Sequence, residues 1–341
     1  MKKTSSIIGM MLPLAPTEAV AHVKWFCAYD TAVPPLPILD VVTPSFIAVA
    51  AGFCALMFIA YVADRAVNGK VWAKRFDDAI VQYDHYSNTI IRVAVAILFL
   101  VLWISGDTIL MPELKTTNGL VPWVQLAISV SMLFPATLLP GAIAIMGLYG
   151  YAIVQYGAFH MMDYPVIPGV AVFLGLTTFG GAYVNTLRLS VLYSSVAATM
   201  MWGAIEKFGY PCWTLPLMAT YPKLTLGLGF DRFMDVAGFV EFSLAFFMVT
   251  GTALLRWSCF ALLMLLLSAV PAFGNVDAIG HLIIIAALIA MFISGQRVIA
   301  MPLVVIRAGI LTQAGLLTFG YALTITGAFA LYYGSQYLAG R

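Results

Sequence analysis

The chain has 341 residues, of which 62% are hydrophobic and only 9% are charged. With a mean hydropathy of +0.97, this composition excludes an ordinary soluble globular protein and predicts an all-α polytopic membrane protein with the lipid bilayer as its partner. The formal net charge is only +2, and no basic run is interleaved with aromatic residues. A nucleic-acid partner is therefore excluded.

The first residues have the pattern of a targeting segment. Lys2-Lys3 precede a short apolar run at 7–16, and Ala19-Val20-Ala21 supplies the small residues of a signal-peptidase site. An apolar run of about ten residues is too short to span a bilayer. We therefore predict a signal peptide over residues 1–21, so that the mature chain begins at His22. An uncleaved interfacial helix is the alternative, because Glu18 lies close to the proposed cleavage site.

Apolar runs long enough to cross the hydrocarbon core follow along the rest of the chain. Ten of them are predicted to be transmembrane helices, at residues 45–63, 89–106, 121–138, 141–157, 166–184, 187–205, 236–254, 257–272, 281–298 and 308–333. The polar, amphipathic stretch from Asp64 to Tyr86 is either a helix on the membrane surface or a simple connecting helix. Residues 22–88 thus contain an N-terminal segment, the first span and this helix.

The distribution of basic residues predicts how the spans are oriented. Connections assigned to the cytoplasm contain Arg65, Lys70, Lys74, Arg75, Arg188, Arg256, Arg297 and Arg307. By the positive-inside rule, the mature N-terminus is then extracytoplasmic. A cleaved signal peptide predicts the same orientation independently.

Two stretches of the sequence resemble each other and indicate an internal duplication. Tyr156-Gly157 and Phe273-Gly274 each begin a short motif that continues with one His and one Asp. The aligned pairs elsewhere are Arg92 with Arg188, Trp103 with Trp202, and Gln125 with Glu241. We predict two parallel four-helix-bundle repeats, repeat A at 89–186 and repeat B at 187–300, and a C-terminal transmembrane helix within 301–341.

Glu241 carries the strongest signal for a functional site. It lies within the apolar run at 236–248, where an ionised carboxylate is costly unless it is paired. Lys207, which follows Glu206 at the end of the preceding helix, is the predicted partner. Such a pair can bind a polar headgroup or a quinone carbonyl, or relay protons. A structural ion pair that locks two helices together is the alternative.

The His and Asp of the two motifs are candidates for proton transfer or metal binding. Asp277 and His281 are four residues apart, so they share one face if a helix begins near Asp277. The carboxylate can then orient the imidazole. His160 can pair with Asp163 in the same way, and His160 is also a candidate metal ligand. Helix-capping Asp residues and interfacial His residues are the alternative explanation of both pairs.

A mature N-terminal His22 would offer its amine and its imidazole together, a donor pair suited to copper. The four cysteines, Cys27, Cys54, Cys212 and Cys259, have no C-x-x-C or C-x-x-H spacing, so neither a zinc site nor a redox dithiol is indicated. Cys54 and Cys259 lie in apolar runs and are interpreted as packing residues. Cys27 and Cys212 lie in segments where a disulfide is chemically possible.

Several residues of repeat B form a pattern: Arg188, the helix end Trp202–Lys207, Tyr210-Pro211, Pro222, the stretch from Ala237-Gly238 to Glu241, and Leu255-Arg256. Over about residues 187–298, this pattern resembles the DoxX and DoxD family of four-helix membrane proteins. Repeat A departs from the pattern, with Gln125 in place of the Glu and Asp107-Thr108 in place of the Glu-Lys pair. Repeat A therefore resembles a degenerate copy.

The resemblance implies a bacterial inner-membrane protein built from four-helix units. Some members of the family are subunits of a quinone-linked thiosulfate oxidoreductase, and others are assembly or maturation partners of redox enzymes. By position, the family-type polar residues here are Glu206, Lys207, Glu241 and Arg256. Trp202 and Arg256 are then candidates for contact with a cofactor, and a redox protein or another subunit is the implied partner.

These features together predict a membrane component of quinone- or thiol-linked redox metabolism. Glu241 and Lys207 would bind or protonate the substrate headgroup, with Asp277 and His281 as a proton relay. Two other interpretations stay open: a transporter or copper-handling protein, and a non-catalytic membrane subunit or assembly factor. The last of these predicts that the Lys207–Glu241 pair is sealed by packing and borders no cavity.

Overall fold

The computed structural model describes residues 34–220, 222–225, 227–295 and 308–338, and these residues are predominantly helical. Within these ranges there is no β-strand, and one isolated bridge joins Thr108 to Lys115. The predicted all-α class is therefore confirmed. The predicted signal peptide, His22 and Cys27 lie outside the described residues, as do two of the arginines used for orientation.

Ten helices coincide with the ten predicted apolar runs and are numbered here in chain order. They are α1 Pro44–Asn68, α2 Ser87–Ser105, α3 Val121–Ser131, α4 Leu138–Tyr156, α5 Val166–Leu176, α6 Ala182–Gly209, α7 Phe230–Thr250, α8 Ala253–Phe273, α9 Leu282–Ser294 and α10 Ile310–Leu338. Shorter helices lie between or before them, at Ile38–Val41, Val71–Val81, Ala158–Met161, Leu215–Thr220 and Asn275–Gly280. The helix Val71–Val81 corresponds to the predicted amphipathic stretch.

Six helical segments of the described residues are long and apolar enough to cross a membrane. They are Pro44–Asn68, Val71–Ser105, Pro135–Tyr156, Phe230–Thr250, Ala253–Val270 and Ile310–Leu338. The apolar helices α3, α5 and α9 have only 11, 11 and 13 residues, whereas a span needs about 20. The chain is thus a multi-pass membrane protein with six candidate spans among the residues that the structure describes, and the predicted count of ten is not confirmed.

The helices pack in an order that follows the chain. In the first half, α2 packs on α3, α3 on α4, and α4 on α5, and in the second half α6, α7, α8 and α9 pack on one another in the same sequence. The two halves meet where α5 packs on α6 and where α9 packs on α2. The first and last helices, α1 and α10, pack on each other and on α7.

An aromatic cluster fixes α1 and α10 against the second half. The ring of Phe46 in α1 lies 5.2 Å from that of Phe208 in α6 and 5.1 Å from that of Phe239 in α7. Phe329 of α10 completes the cluster, 5.6 Å from Phe208. Aromatic contacts of this kind add to the area that the rings bury. They hold α10 beside the last turns of α6.

The helix bundle has two ends, one that contains Lys207 and one that contains Arg256. At the Lys207 end, the backbone N–H of Leu36 donates to the carbonyl of Gly209, and Tyr333 Oη donates to the carbonyl of Leu36. At the opposite Arg256 end, Asp64 of α1 accepts hydrogen bonds from the backbone N–H groups of Thr252 and Leu254 at 3.0 and 2.9 Å. Asp64 therefore caps the first turn of α8.

A glycine with positive φ ends the third helix of each half. Gly157 has φ +86° and donates its N–H to the carbonyl of Ile153, and Gly274 has φ +79° and donates to that of Val270. Because this backbone conformation strains any residue with a Cβ atom, glycine is required at both positions. Each glycine is followed by a short helix and then by an apolar helix at the same end of the bundle.

Candidate functional site

The structure brings together the two residues of the predicted ion pair. Lys207 lies in the last turn of α6 and Glu241 in the middle of α7, and Lys207 Nζ donates to Glu241 Oε2 at 2.7 Å. Their side chains are 17% and 18% exposed. A hydrogen bond between two charged groups is short and strong in such surroundings. The pair therefore joins α6 and α7 near the Lys207 end.

An open cavity of about 760 Å³ lies beside this pair. Its walls come from the segment that leads into α1, the end of α6, and the first turns of α7: Leu36, Asp40, Thr43, Lys207, Phe208, Asp231, Arg232, Met234 and Asp235 are among the described residues that line it, and Glu241 is not. Lys207 thus contributes an ammonium group to a cavity with both carboxylate and apolar walls. Such a cavity suits a small molecule with a polar head and an apolar body.

Glu206 lies next to Lys207 in the sequence but contacts a different part of the molecule. Glu206 is buried, and Tyr332 Oη of α10 donates to Glu206 Oε1 at 3.5 Å. Nearby, Gln336 Nε2 donates to Tyr210 Oη at 2.8 Å. Glu206 therefore belongs to the contact between α6 and α10 and is separate from the Lys207–Glu241 pair.

Trp202 connects the second half of the chain to the motif of the first half. Its indole Nε1 donates to Asp163 Oδ1 at 2.7 Å, and its ring lies 4.9 Å from that of Tyr332. Asp163 belongs to a buried group with Glu113 and His160, in which His160 Nε2 lies 3.2 Å from Glu113 Oε1. Trp202 therefore holds this polar group and does not line the cavity beside Lys207.

The predicted pair of the second motif is formed. His281 Nδ1 lies 3.0 Å from Asp277 Oδ1, and Asp277 is almost completely buried. The backbone N–H of His281 also donates to the carbonyl of Asp277 at 2.9 Å, which places both residues on one helical turn. The carboxylate can thus orient the imidazole as predicted. Lys207 pairs with Glu241, and His281 pairs with Asp277, so the four residues form two separate pairs.

Arg256 lies at the opposite end of the bundle from Lys207. Its Nε donates to Asp77 Oδ1 at 2.7 Å, and its Nη1 donates to the carbonyls of Phe292 and Ile293. These contacts satisfy the last carbonyl groups of α9 and attach the helix Val71–Val81 to α8. From Glu241 to the end of α7 at Thr250 is about 14 Å of helix. Arg256 therefore stabilises the fold away from the cavity.

The first half has a neutral counterpart of the ion pair. Gln125, aligned with Glu241, is fully buried, and its Nε2 donates to the carbonyls of Thr108 and Ile109 at 2.6 and 2.9 Å. Thr108 is the residue aligned with Lys207. The charges beside it are exposed: Lys115 Nζ donates to Asp107 Oδ2 at 2.9 Å, with both side chains 58% exposed. Partial burial alone would raise the pKa of Asp107, but hydrogen bonds from Lys115 and Thr108 lower this pKa below its usual range.

Sequence reasoning did not assign a role to Glu113 or Tyr164. Glu113 lies in the connection between α2 and α3, far along the chain from His160, and the two are brought together only by packing. Tyr164 Oη donates to Glu113 Oε1. No spacing rule could have found these contacts, because Glu113 lies 51 residues before Tyr164 in the chain.

Comparison with protein-family models, with curated proteins and with solved structures found no match to this chain. The resemblance to the DoxX and DoxD family therefore stays a prediction that rests on the residues of repeat B.

Proposed function

We propose that this chain is a DoxX-like protein of the bacterial inner membrane that binds a quinone headgroup at an extracytoplasmic-facing site, as a membrane component of quinone- or thiol-linked redox metabolism. One observation carries the proposal: the ammonium group of Lys207, held by Glu241 at 2.7 Å, lines an open cavity of about 760 Å³. A purely structural pair would be enclosed by packing, as the alternative of a non-catalytic assembly factor requires.

The chemistry of the pair fits a quinone carbonyl. An ammonium group has three donors, and Glu241 uses one of them, so that a quinone oxygen in the cavity can accept another. The negative charge that develops on a reduced quinone is stabilised by the ammonium group. Glu241 holds the ammonium group at the cavity wall through the 2.7 Å hydrogen bond. Phe208 and Met234 provide apolar surface for the ring.

The proposal includes ten spans arranged as two four-helix repeats. Three features of the fold support the duplication: the same packing order of four helices in each half, the matching glycines Gly157 and Gly274, and the matching positions of the Gln125–Thr108 contact and the Glu241–Lys207 pair. Short apolar helices such as α3 and α5 would then cross the membrane together with their flanking segments. A redox protein or enzyme subunit would exchange electrons with the bound quinone.

A transporter or copper-handling role is the second candidate, and the buried group of Glu113, His160 and Asp163 favours it. The donors of that group are one imidazole nitrogen and carboxylate oxygens, however, which suit harder cations than copper(I). His22, the other copper candidate, lies outside the described residues. The Lys207 site therefore supports quinone binding better than copper handling.

Binding of ubiquinone-1 to the full chain in detergent, measured by isothermal titration calorimetry, tests the proposal. We expect one site per chain, weakened at least about tenfold by Lys207→Met, because a hydrogen bond to a charged group contributes about 1.5–3 kcal/mol and each 1.4 kcal/mol is a factor of ten. The matched control is Lys115→Met, which removes the exposed lysine at the same end and leaves the affinity unchanged. Absence of saturable binding, or equal weakening by both variants, would contradict the proposal.

A further inference from the structure

The buried group beside Trp202 has the composition and geometry of a metal site. Ligand atoms of Glu113, His160 and Asp163 all lie within 4.8 Å of one another. The side chains of His160 and Glu113 are only 4% and 6% exposed, and Asp163 is buried as well. The three residues come from two segments, the connection between α2 and α3 and the turn that follows Gly157. Their convergence therefore depends on the tertiary fold.

Groups that are not metal ligands hold each of these side chains in place. Trp202 Nε1 donates to Asp163 Oδ1 at 2.7 Å, and Tyr164 Oη donates to Glu113 Oε1. The ring of Tyr156 stacks on that of His160 with the centroids 5.7 Å apart. In metal sites, residues that hydrogen-bond to the metal ligands orient those ligands and tune the affinity for the metal.

The equivalent pair in the second half is arranged differently. There, Asp277 and His281 contact each other directly, with Nδ1 3.0 Å from Oδ1. In the first half, His160 instead lies 3.2 Å from the carboxylate of Glu113, which comes from a different segment. The second motif thus forms one closed His-Asp pair, whereas in the first motif an imidazole and two carboxylates converge. A ligand that binds only at the first motif would require such a difference between the two motifs.

We propose that Glu113, His160 and Asp163 bind one divalent first-row cation of the Zn²⁺ or Mn²⁺ type, with water completing the coordination. Imidazole nitrogen and carboxylate oxygen are ordinary ligands of these ions. Two buried carboxylates carry two negative charges, and a divalent cation neutralises them, which offsets the cost of burying both groups. The site is distinct from the cavity beside Lys207. It joins the first half to α6 through Trp202.

Binding of Zn²⁺ to the full chain tests this site. The protein is purified in detergent, stripped with a chelator and titrated with Zn²⁺ by calorimetry, and Co²⁺ is used in parallel because its visible absorption reports the ligand set. We expect one Zn²⁺ per chain, and Co²⁺ absorption typical of nitrogen and oxygen ligands. His160→Gln and Glu113→Gln should each weaken binding by more than about 100-fold, beyond the 10–100-fold loss typical of an outer partner.

Two further variants separate ligation from a general effect on folding. Trp202→Phe removes the hydrogen bond to Asp163 together with part of the indole ring but no metal ligand, and it should weaken binding by roughly 10–100-fold. His281→Gln is the matched control and should bind Zn²⁺ as the unmodified protein does. If His160→Gln fails to fold, Glu113→Gln decides the question. Absence of stoichiometric binding, or Zn²⁺ affinity retained in Glu113→Gln, would overturn the proposal.

Discussion

Removing one member of the Lys207–Glu241 pair should cost different amounts of stability, depending on which member is removed. The two side chains are almost equally exposed, at 17% and 18%. Lys207 lines the cavity and Glu241 does not, so we expect cavity water to hydrate the ammonium group more readily than the carboxylate. Glu241→Gln leaves an ammonium group that can be hydrated there. Lys207→Met leaves a carboxylate in the middle of an apolar helix.

The size of the difference follows from the geometry. Two unit charges about 4 Å apart attract each other by about 4 kcal/mol at an effective dielectric constant near 20. Stranding a buried charge typically costs about 3–5 kcal/mol, and we expect Lys207→Met to fall in this range. For Glu241→Gln we expect about 1–2 kcal/mol, close to the loss of one hydrogen bond to a charged group. The double variant should recover most of the loss, because it leaves no stranded charge.

Unfolding in mixed detergent micelles, followed by tryptophan fluorescence as the fraction of dodecyl sulfate rises, measures these differences. Asp107→Asn and Lys115→Met are the controls, because the corresponding exposed pair should contribute less than about 1 kcal/mol. Equal losses for Glu241→Gln and Lys207→Met, or a larger loss for Glu241→Gln, would refute the reasoning. Either result would mean that the cavity does not hydrate Lys207.

Three further predictions concern the fold. Gly157→Ala should destabilise the protein by about 1–3 kcal/mol, because Gly157 has a positive φ. Gly150→Ala is the control: Gly150 lies within α4 in open space, so this change should be neutral or stabilising by up to about 1 kcal/mol. The same unfolding assay compares the two variants. Arg256→Met should cost about 3 kcal/mol by leaving the α9 carbonyls unsatisfied, without changing ubiquinone-1 affinity in calorimetry. Gln125→Glu should lower the thermal unfolding midpoint by placing a carboxylate against two carbonyl groups, and adding Thr108→Lys should restore it; no rescue would count against the duplication.

Much of the fold was predictable from the pattern of apolar runs. Each of the ten predicted runs corresponds to a helix, because helices are the way a hydrophobic chain satisfies its backbone groups in lipid. The lengths were less predictable. The run predicted at 166–184 forms a helix that ends at Leu176, since Gly180-Gly181 follow and the next helix begins at Ala182. Local breaks of this kind separate an apolar run from a full span.

The site was predictable only in part. The Lys207–Glu241 pair followed from one rule, that a carboxylate in an apolar run needs a partner, and α6 and α7 are consecutive packed helices. The contact between Glu113 and His160 joins segments far apart in the chain, so no periodicity could indicate it. The position of Arg256 agrees with the distribution of basic residues, which assigned it to the cytoplasmic connections, but its contacts with α9 were not predicted. Its side chain caps α9, and its place at the opposite end from Lys207 follows from helix direction.

The most direct test of the central claim is to locate a bound quinone. A photoreactive azidoquinone is crosslinked to the full chain in bilayers, and the labelled peptides are mapped by mass spectrometry. We predict labelling within residues 36–45 or 227–235, which line the cavity beside Lys207, and loss of that labelling in Lys207→Met but not in Lys115→Met. Labelling confined to the apolar groove between α2 and α9, lined by Ile90, Val93 and Ile289, would contradict the claim.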